Sequence, residues 1–271
     1  MVSLLVAAAI AAASPASPPA AAAPEEPIDQ PAMFVVRDAD TTIYIFGTFH
    51  ALDGRSQWFA SQVRDAFEQA DELVLETLVP ERPLPGQLPT PVRAPSVTPS
   101  ASFLATTRLA INAGQSQGMQ VANGADMVLR RVAEAEGKPV EGLETLQFQL
   151  NMFNHMPPAP PAITAAARQR EASSPQPGMD RLIVAMGLMQ AAWKRGDQSV
   201  FVNMLGQLKA ASPATYRMMF TERNERWADW IRARLRTPGT VFVAVGAGHL
   251  AGQDSLLVRL AERGIPSQRV N

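Results

Sequence analysis

Apolar residues fall into two rhythms along this chain. Met33-Phe-Val-Val36 and Thr41-Ile-Tyr-Ile-Phe46 are runs of β-formers separated by the polar turn Arg37-Asp-Ala-Asp40, which predicts a hairpin. Glu72-Leu-Val-Leu-Glu76, Pro139-Val-Glu-Gly-Leu-Glu144 and Val241-Phe-Val-Ala-Val245 are further strands, the last the most apolar, and Gln268-Arg-Val270 is an edge strand. Between them the spacing turns helical. Ser56 is placed to cap a helix over Gln57 to Ala70, with Trp58, Val63 and Phe67 facing inward. Ala101 to Gly118 is weakly helical. Ala125 to Glu136 is a better helix, stopped by Gly137 and Pro139, and another runs from Thr145 to Phe153.

Leu182, Met186, Met189 and Trp193 repeat at helical spacing up to the break at Gly196-Asp197, and Ser199 to Leu208 resumes the helix. From Pro213, the residues Tyr216, Phe220, Trp227, Trp230 and Arg234 form one stripe, and Arg223 fills its missing step. A cation on an aromatic inward face needs an anionic partner, or a polar cavity for its head group. Asp254 is placed to cap a last helix through Arg263.

Strands separated by helical stretches predict an α/β fold: a mixed sheet with flanking helices and a helical cap or insertion over about residues 101–237 of a domain spanning 32–271. Pro80 to Ser100 and Pro157 to Gly178 are Pro-rich linkers. Val2 to Ala13 is apolar but too short to span a bilayer. Small residues follow it, so residues 1–24 read as a secretory signal, although no Lys or Arg follows Met1. The processed chain is then expected to be periplasmic or secreted, with no membrane span.

Composition narrows the chemistry. The 271 residues carry a net charge of −1 with mixed signs, which gives no footprint for nucleic acid. The absence of cysteine excludes disulfides, thiolate metal sites and cysteine nucleophiles. Of the three histidines, two stand in the same setting: Gly47-Thr-Phe-His50 and Gly246-Ala-Gly-His249 each follow an apolar strand. In α/β sheets ligands bind beyond the carboxyl ends of the strands, and His50, Glu76, Glu144 and His249 all stand there.

Two imidazoles with a carboxylate suit a divalent metal, and Gly47 and Gly246 leave the approach open. Each residue also has a plain structural reading. A histidine after a strand serves as a turn residue, and Glu76 or Glu144 as the first solvated position. Arg223 serves as half of a salt bridge, and Asn224 as a helix surface position beside the site. His155, before Pro157-Pro158, reads as a loop residue. No nucleophile elbow, His-Glu-x-x-His or P-loop motif is present.

These residues resemble the TraB/GumN family, which includes the TIKI-type metalloproteases. The resemblance rests on Tyr44-Ile-Phe-Gly-Thr-Phe-His50, Ala70-Asp-Glu-Leu-Val-Leu-Glu76, Gly124-Ala-Asp126 and Gly137-Lys-Pro-Val-Glu-Gly-Leu-Glu-Thr145. Trp193-x-x-Gly-Asp197, Glu222-Arg-Asn224 with Trp227, and Val245-Gly-Ala-Gly-His-Leu250 complete it. It implies a TIKI/EreA/ChaN-like fold. It also implies a metal-dependent hydrolase acting on a peptide or small molecule, using Mn²⁺ or Co²⁺ before Zn²⁺.

On that reading His50, His249 and one glutamate, Glu76 in the first instance, hold the metal. The other glutamate is the general base, and Arg223 stabilises the oxyanion. The alternative is a non-catalytic protein of the same fold that captures a peptide or haem-like ligand. The Pro-rich stretches depart from the family pattern, which bears on the substrate-facing cap more than on the site.

Overall fold

A computed structural model of the chain describes residues 28–78, 112–154 and 177–271. The expected signal segment, the linker at 80–100, most of the weak helix at 101–118, His155 and nearly all of the second linker lie outside them. The architecture is α/β. Six strands form one mixed sheet: β1 (Met33–Arg37), β2 (Thr41–Thr48), β3 (Glu72–Thr77), β4 (Val140–Glu144), β5 (Gly239–Gly246) and β6 (Gln268–Arg269), in the order β4-β3-β5-β2-β1-β6. β1 and β2 make the expected antiparallel hairpin, and β6 closes the edge beside β1. The strands β4, β3, β5 and β2 are parallel neighbours, so their carboxyl ends lie along one edge.

The helices are α1 (Ser61–Gln69), α2 (Ala125–Ala135), α3 (Leu146–Asn154), α4 (Pro177–Lys194), α5 (Ser199–Ala211), α6 (Pro213–Tyr216), α7 (Glu222–Arg234) and α8 (Leu256–Glu262). They cover both faces of the sheet because the strands are apolar on both. Tyr44, Phe46, Leu73, Leu75, Phe242 and Ala244 meet α1, α2, α4 and α5 on one face. Ile43, Ile45, Val74, Val241, Val243 and Val245 meet Trp227 and Ile231 of α7 and Leu256 and Leu260 of α8 on the other. Aromatic rings fill the first face: Phe46 stacks on Trp58 at 5.4 Å, and Trp193 meets Trp58 at 5.9 Å. The stretch expected as an insertion therefore contributes β4 to the sheet itself, together with helices on both faces.

Two helix starts differ from expectation. Ser56 caps nothing; its hydroxyl donates to Asp53 Oδ1 within a turn, and α1 begins at Ser61 behind Ala60. The inward set still holds, with Trp58, Val63 and Phe67 all buried. Asp254 is not the cap of α8 either. Ser255 accepts from the Val258 N–H, while the Asp254 carboxylate takes Arg259, Lys209 and the Tyr216 hydroxyl. A cap one residue along is free to do the job because three donors already hold the aspartate.

Candidate functional site

Each of the four parallel strands delivers one candidate side chain to the shared edge. In lateral order these are Glu144 at the end of β4, Glu76 on β3, His249 after β5 and His50 after β2. The two Gly-x-x-His motifs touch. A Cβ on Gly47 would lie 3.3 Å from the Ala247 Cα, so any larger residue would press on the turn after β5 where it packs on β2. The Trp193 indole N–H donates to the Gly47 carbonyl at 2.7 Å and fixes that turn from outside. Gly246 opens a notch between the candidates: a Cβ there would sit 3.1 Å from Glu76 Oε1, 3.5 Å from His50 Nε2 and 3.8 Å from His249 Cδ2. Both imidazoles therefore border one small space with a carboxylate oxygen between them.

Arg223 of α7 occupies the centre. Its Nε donates to both oxygens of Glu144 at 3.0 Å, and Nη2 donates to Glu76 Oε2 at 2.7 Å and lies 2.9 Å from Glu144 Oε2. Nη1 lies 3.2 Å from His249 Nε2 and 3.4 Å from the Met219 carbonyl. All five guanidinium N–H groups thus have acceptors in reach. The group also lies over the Trp227 ring at 4.6 Å. A π-helical turn, Arg217–Thr221, leads into α7 just before Arg223, a distortion that recurs at functional sites. Arg226, one turn on, is half-exposed at the rim, stacks on Phe148 of α3 and reaches Glu144 Oε1 at 3.4 Å.

His249 is buried, and Nδ1 lies 2.7 Å from Asn224 Oδ1. The Asn224 amide nitrogen donates to the Asp254 carbonyl, which orients its oxygen toward the ring. Nδ1 therefore carries the proton, and Nε2 presents its lone pair to Arg223. Burial pushes the His249 pKa down to about 3; Arg223 and His50 act in the same sense, and Glu76 against them. Glu76 is opposed by burial, but His249, Arg223 and His50 and the Gly246 N–H hold its pKa down to about 2. Since His249 is neutral near pH 7, Arg223, His50 and the 2.6 Å bond from Gly246 carry that effect there. His50 is the opposite of His249. Its side chain is 61% exposed, and Nδ1 lies 3.3 Å from Asp126 Oδ2. Desolvation works against its charge, but the Asp126 hydrogen bond and charge, with Glu76, raise its pKa to about 9.

The structure brings His50, Glu76, Glu144, Arg223 and His249 into one cluster. Asn224 differs from its expected place. It is 1% exposed rather than on the helix surface, because α7 is wedged between the sheet and α8 and buries more than one stripe. Asp126 was missed as a site residue. Its signal was an acidic side chain in the first turn of a helix entered through Gly124, and nothing local said that His50 needed a partner. Among the described residues, no three His, Asp or Glu side chains are gathered tightly enough to hold a metal ion. The donor types suit a divalent cation all the same, two imidazole nitrogens and a carboxylate oxygen around the Gly246 notch. Arg223 at present engages His249 Nε2 and Glu76 Oε2.

The carboxyl edge of the parallel strands in this mixed sheet thus carries two imidazoles and two carboxylates around a buried arginine, where ligands of α/β sheets ordinarily bind. The chain belongs to the TraB/PrgY/gumN family, whose model matches residues 32–90 and 87–269. No curated protein and no solved structure matches it.

Proposed function

We propose that the chain is a metal-dependent hydrolase of the periplasm or the secreted fraction, acting on peptides. The observation that carries this reading is the convergence of His50 Nε2, Glu76 Oε1 and the His249 ring on the Gly246 notch. His50, His249 and Glu76 would hold a divalent ion, Mn²⁺ or Co²⁺ in preference to Zn²⁺. When bound, the ion supplies Lewis acidity to the scissile carbonyl and acidifies water. Glu76 suits the ligand's role because it borders the notch and stays ionised.

Glu144 is then the general base. Arg223 holds both carboxylates in place. Arg223 Nη1, which lies 3.2 Å from His249 Nε2, would be the donor available to the oxygen that turns negative. Residues 1–24 would direct secretion. No helix among the described residues is long and apolar enough to cross a membrane.

Elemental analysis with a peptidase assay under Mn²⁺, Co²⁺ and Zn²⁺ tests this. Wild type should hold one ion and cleave; His50→Ala should lose both; Glu144→Gln should keep the ion and lose turnover. Equal metal content in wild type and His50→Ala contradicts the reading.

The closed set of bonds around Arg223 supports a second reading, capture of a peptide or haem-like ligand without turnover. Retention of such a ligand with no hydrolysis under any of the three metals would favour it.

A further inference from the structure

An imidazole as exposed as His50 ordinarily selects its own rotamer and tautomer. In water the neutral ring favours the Nε2–H form, which would turn a donor rather than an acceptor toward Glu76. Three contacts from a distant part of the chain act against that freedom. The Ala125 N–H donates to the Phe49 carbonyl at 2.9 Å. Gly124 lies so close that a Cβ there would stand 2.4 Å from the His50 carbonyl oxygen, an approach only glycine allows. With the start of α2 docked in this way, Asp126 in its first turn sets Oδ2 3.3 Å from His50 Nδ1. A second feature separates this carboxylate from an ordinary helix-start anion: its Oδ1 is buried and has no hydrogen-bond partner, so the group has spare capacity to accept.

The geometry points to Asp126 as a positioning residue of the candidate site, an acceptor that holds His50 in the Nδ1–H tautomer with Nε2 facing Glu76 Oε1 across the Gly246 notch. This rests on the hydrolase reading for its purpose, but not for its physics. His249 reaches the same tautomer through Asn224, so each imidazole has its own acceptor behind it, as metal-ligating histidines ordinarily do.

The test uses the ¹⁵N-labelled full chain without metal, in which only three imidazoles contribute. Long-range ¹H–¹⁵N spectra, recorded where the rings are neutral and assigned with His50→Gln, read the tautomer directly. Wild-type His50 should carry its proton on Nδ1. Asp126→Ala should move it to Nε2, leave the His249 signals in place and weaken Mn²⁺ binding by calorimetry about 10–100-fold. Asp126→Asn, whose amide oxygen still accepts, should restore the tautomer and most of the affinity. Asp126→Leu, near the native shape, replaces the alanine variant if that one does not fold.

A tautomer unchanged between wild type and both apolar variants overturns the proposal. A tautomer that responds in a chain without Mn²⁺ binding or turnover upholds the positioning role and removes the hydrolase reading instead.

Discussion

The two Gly-x-x-His motifs have the same spacing and the same place after a buried strand, yet they hold their rings in opposite states. His249 is packed under Phe220 and Trp227, backed by a neutral amide and faced by a guanidinium, so every neighbour but Glu76 disfavours its charge. His50 stands half in solvent and is backed by a carboxylate, so its charge is favoured. His50 Nε2 and the Cδ2 edge of His249 border the same notch, and His249 Nε2 lies 3.9 Å from Glu76 Oε1. In the metal-free chain one ring is therefore neutral and the other charged at neutral pH. The motif places the ring; what stands behind the ring decides what it does.

The largest expected effect comes from removing the element the two halves share. Arg223→Ala removes the cation that Glu76 and Glu144 share and leaves only the half-exposed Arg226 beside Glu144, which should cost about 3–5 kcal/mol of unfolding free energy in urea titrations. A loss below about 1 kcal/mol, the range of exposed pairs, would show that solvent and not Arg223 balances them. Gly246→Ala puts a methyl 3.1 Å from Glu76 Oε1, in the space that both rings border. It should cost about 1–3 kcal/mol and abolish any binding at the notch, read by calorimetry with Mn²⁺.

Asn224→Ala strands the buried Nδ1–H of His249 and should cost about 1–3 kcal/mol. Asn224→Asp sharpens the comparison further by giving His249 the same backing that His50 has. Its pKa, depressed to about 3 in the native chain, should rise; an unchanged value would mean that burial alone sets it.

The smallest effects lie in the pH dependence of stability in the metal-free chain. For His249 the folded pKa is below the ordinary 6.5, so the unfolded chain binds the extra proton, and stability falls as pH drops from 6.5 toward 3. Glu76, with its pKa depressed from 4.5 to about 2, adds a loss in that lower window. His50 runs the other way. Its raised pKa makes a contribution that is full below 6.5 and is lost as pH climbs toward 9. Because that ring is 61% exposed, solvent screens its pair with Asp126 and the alkaline limb is the shallower one. Asp126→Ala should flatten the alkaline limb alone in thermal melts across pH.

Much of this was legible in the sequence. Runs such as Thr41 to Phe46 and Val241 to Val245 announce strands buried on both faces, and the residues that end them are where parallel topology puts a site. The position of Arg223 on an aromatic stripe asked for the anions it has. Asn224 and Asp126 were harder because their importance comes from long-range packing. Asn224 is buried by α8, which arrives from later in the chain, and Asp126 meets His50 only because α2 docks on the turn after β2. The caps at Ser56 and Asp254 failed because other partners hold those side chains, Asp53 within a local turn for Ser56, and Lys209 and Tyr216 from earlier helices for Asp254.

The opposition between the rings is tested most directly by following the imidazole carbon-bound protons of His50 and His249 by NMR across pH in the metal-free chain. The expected result is that His50 titrates above 6.5, toward 9, while His249 stays neutral until well below pH 5 on its way to about 3. Two rings titrating together near 6.5 would contradict it.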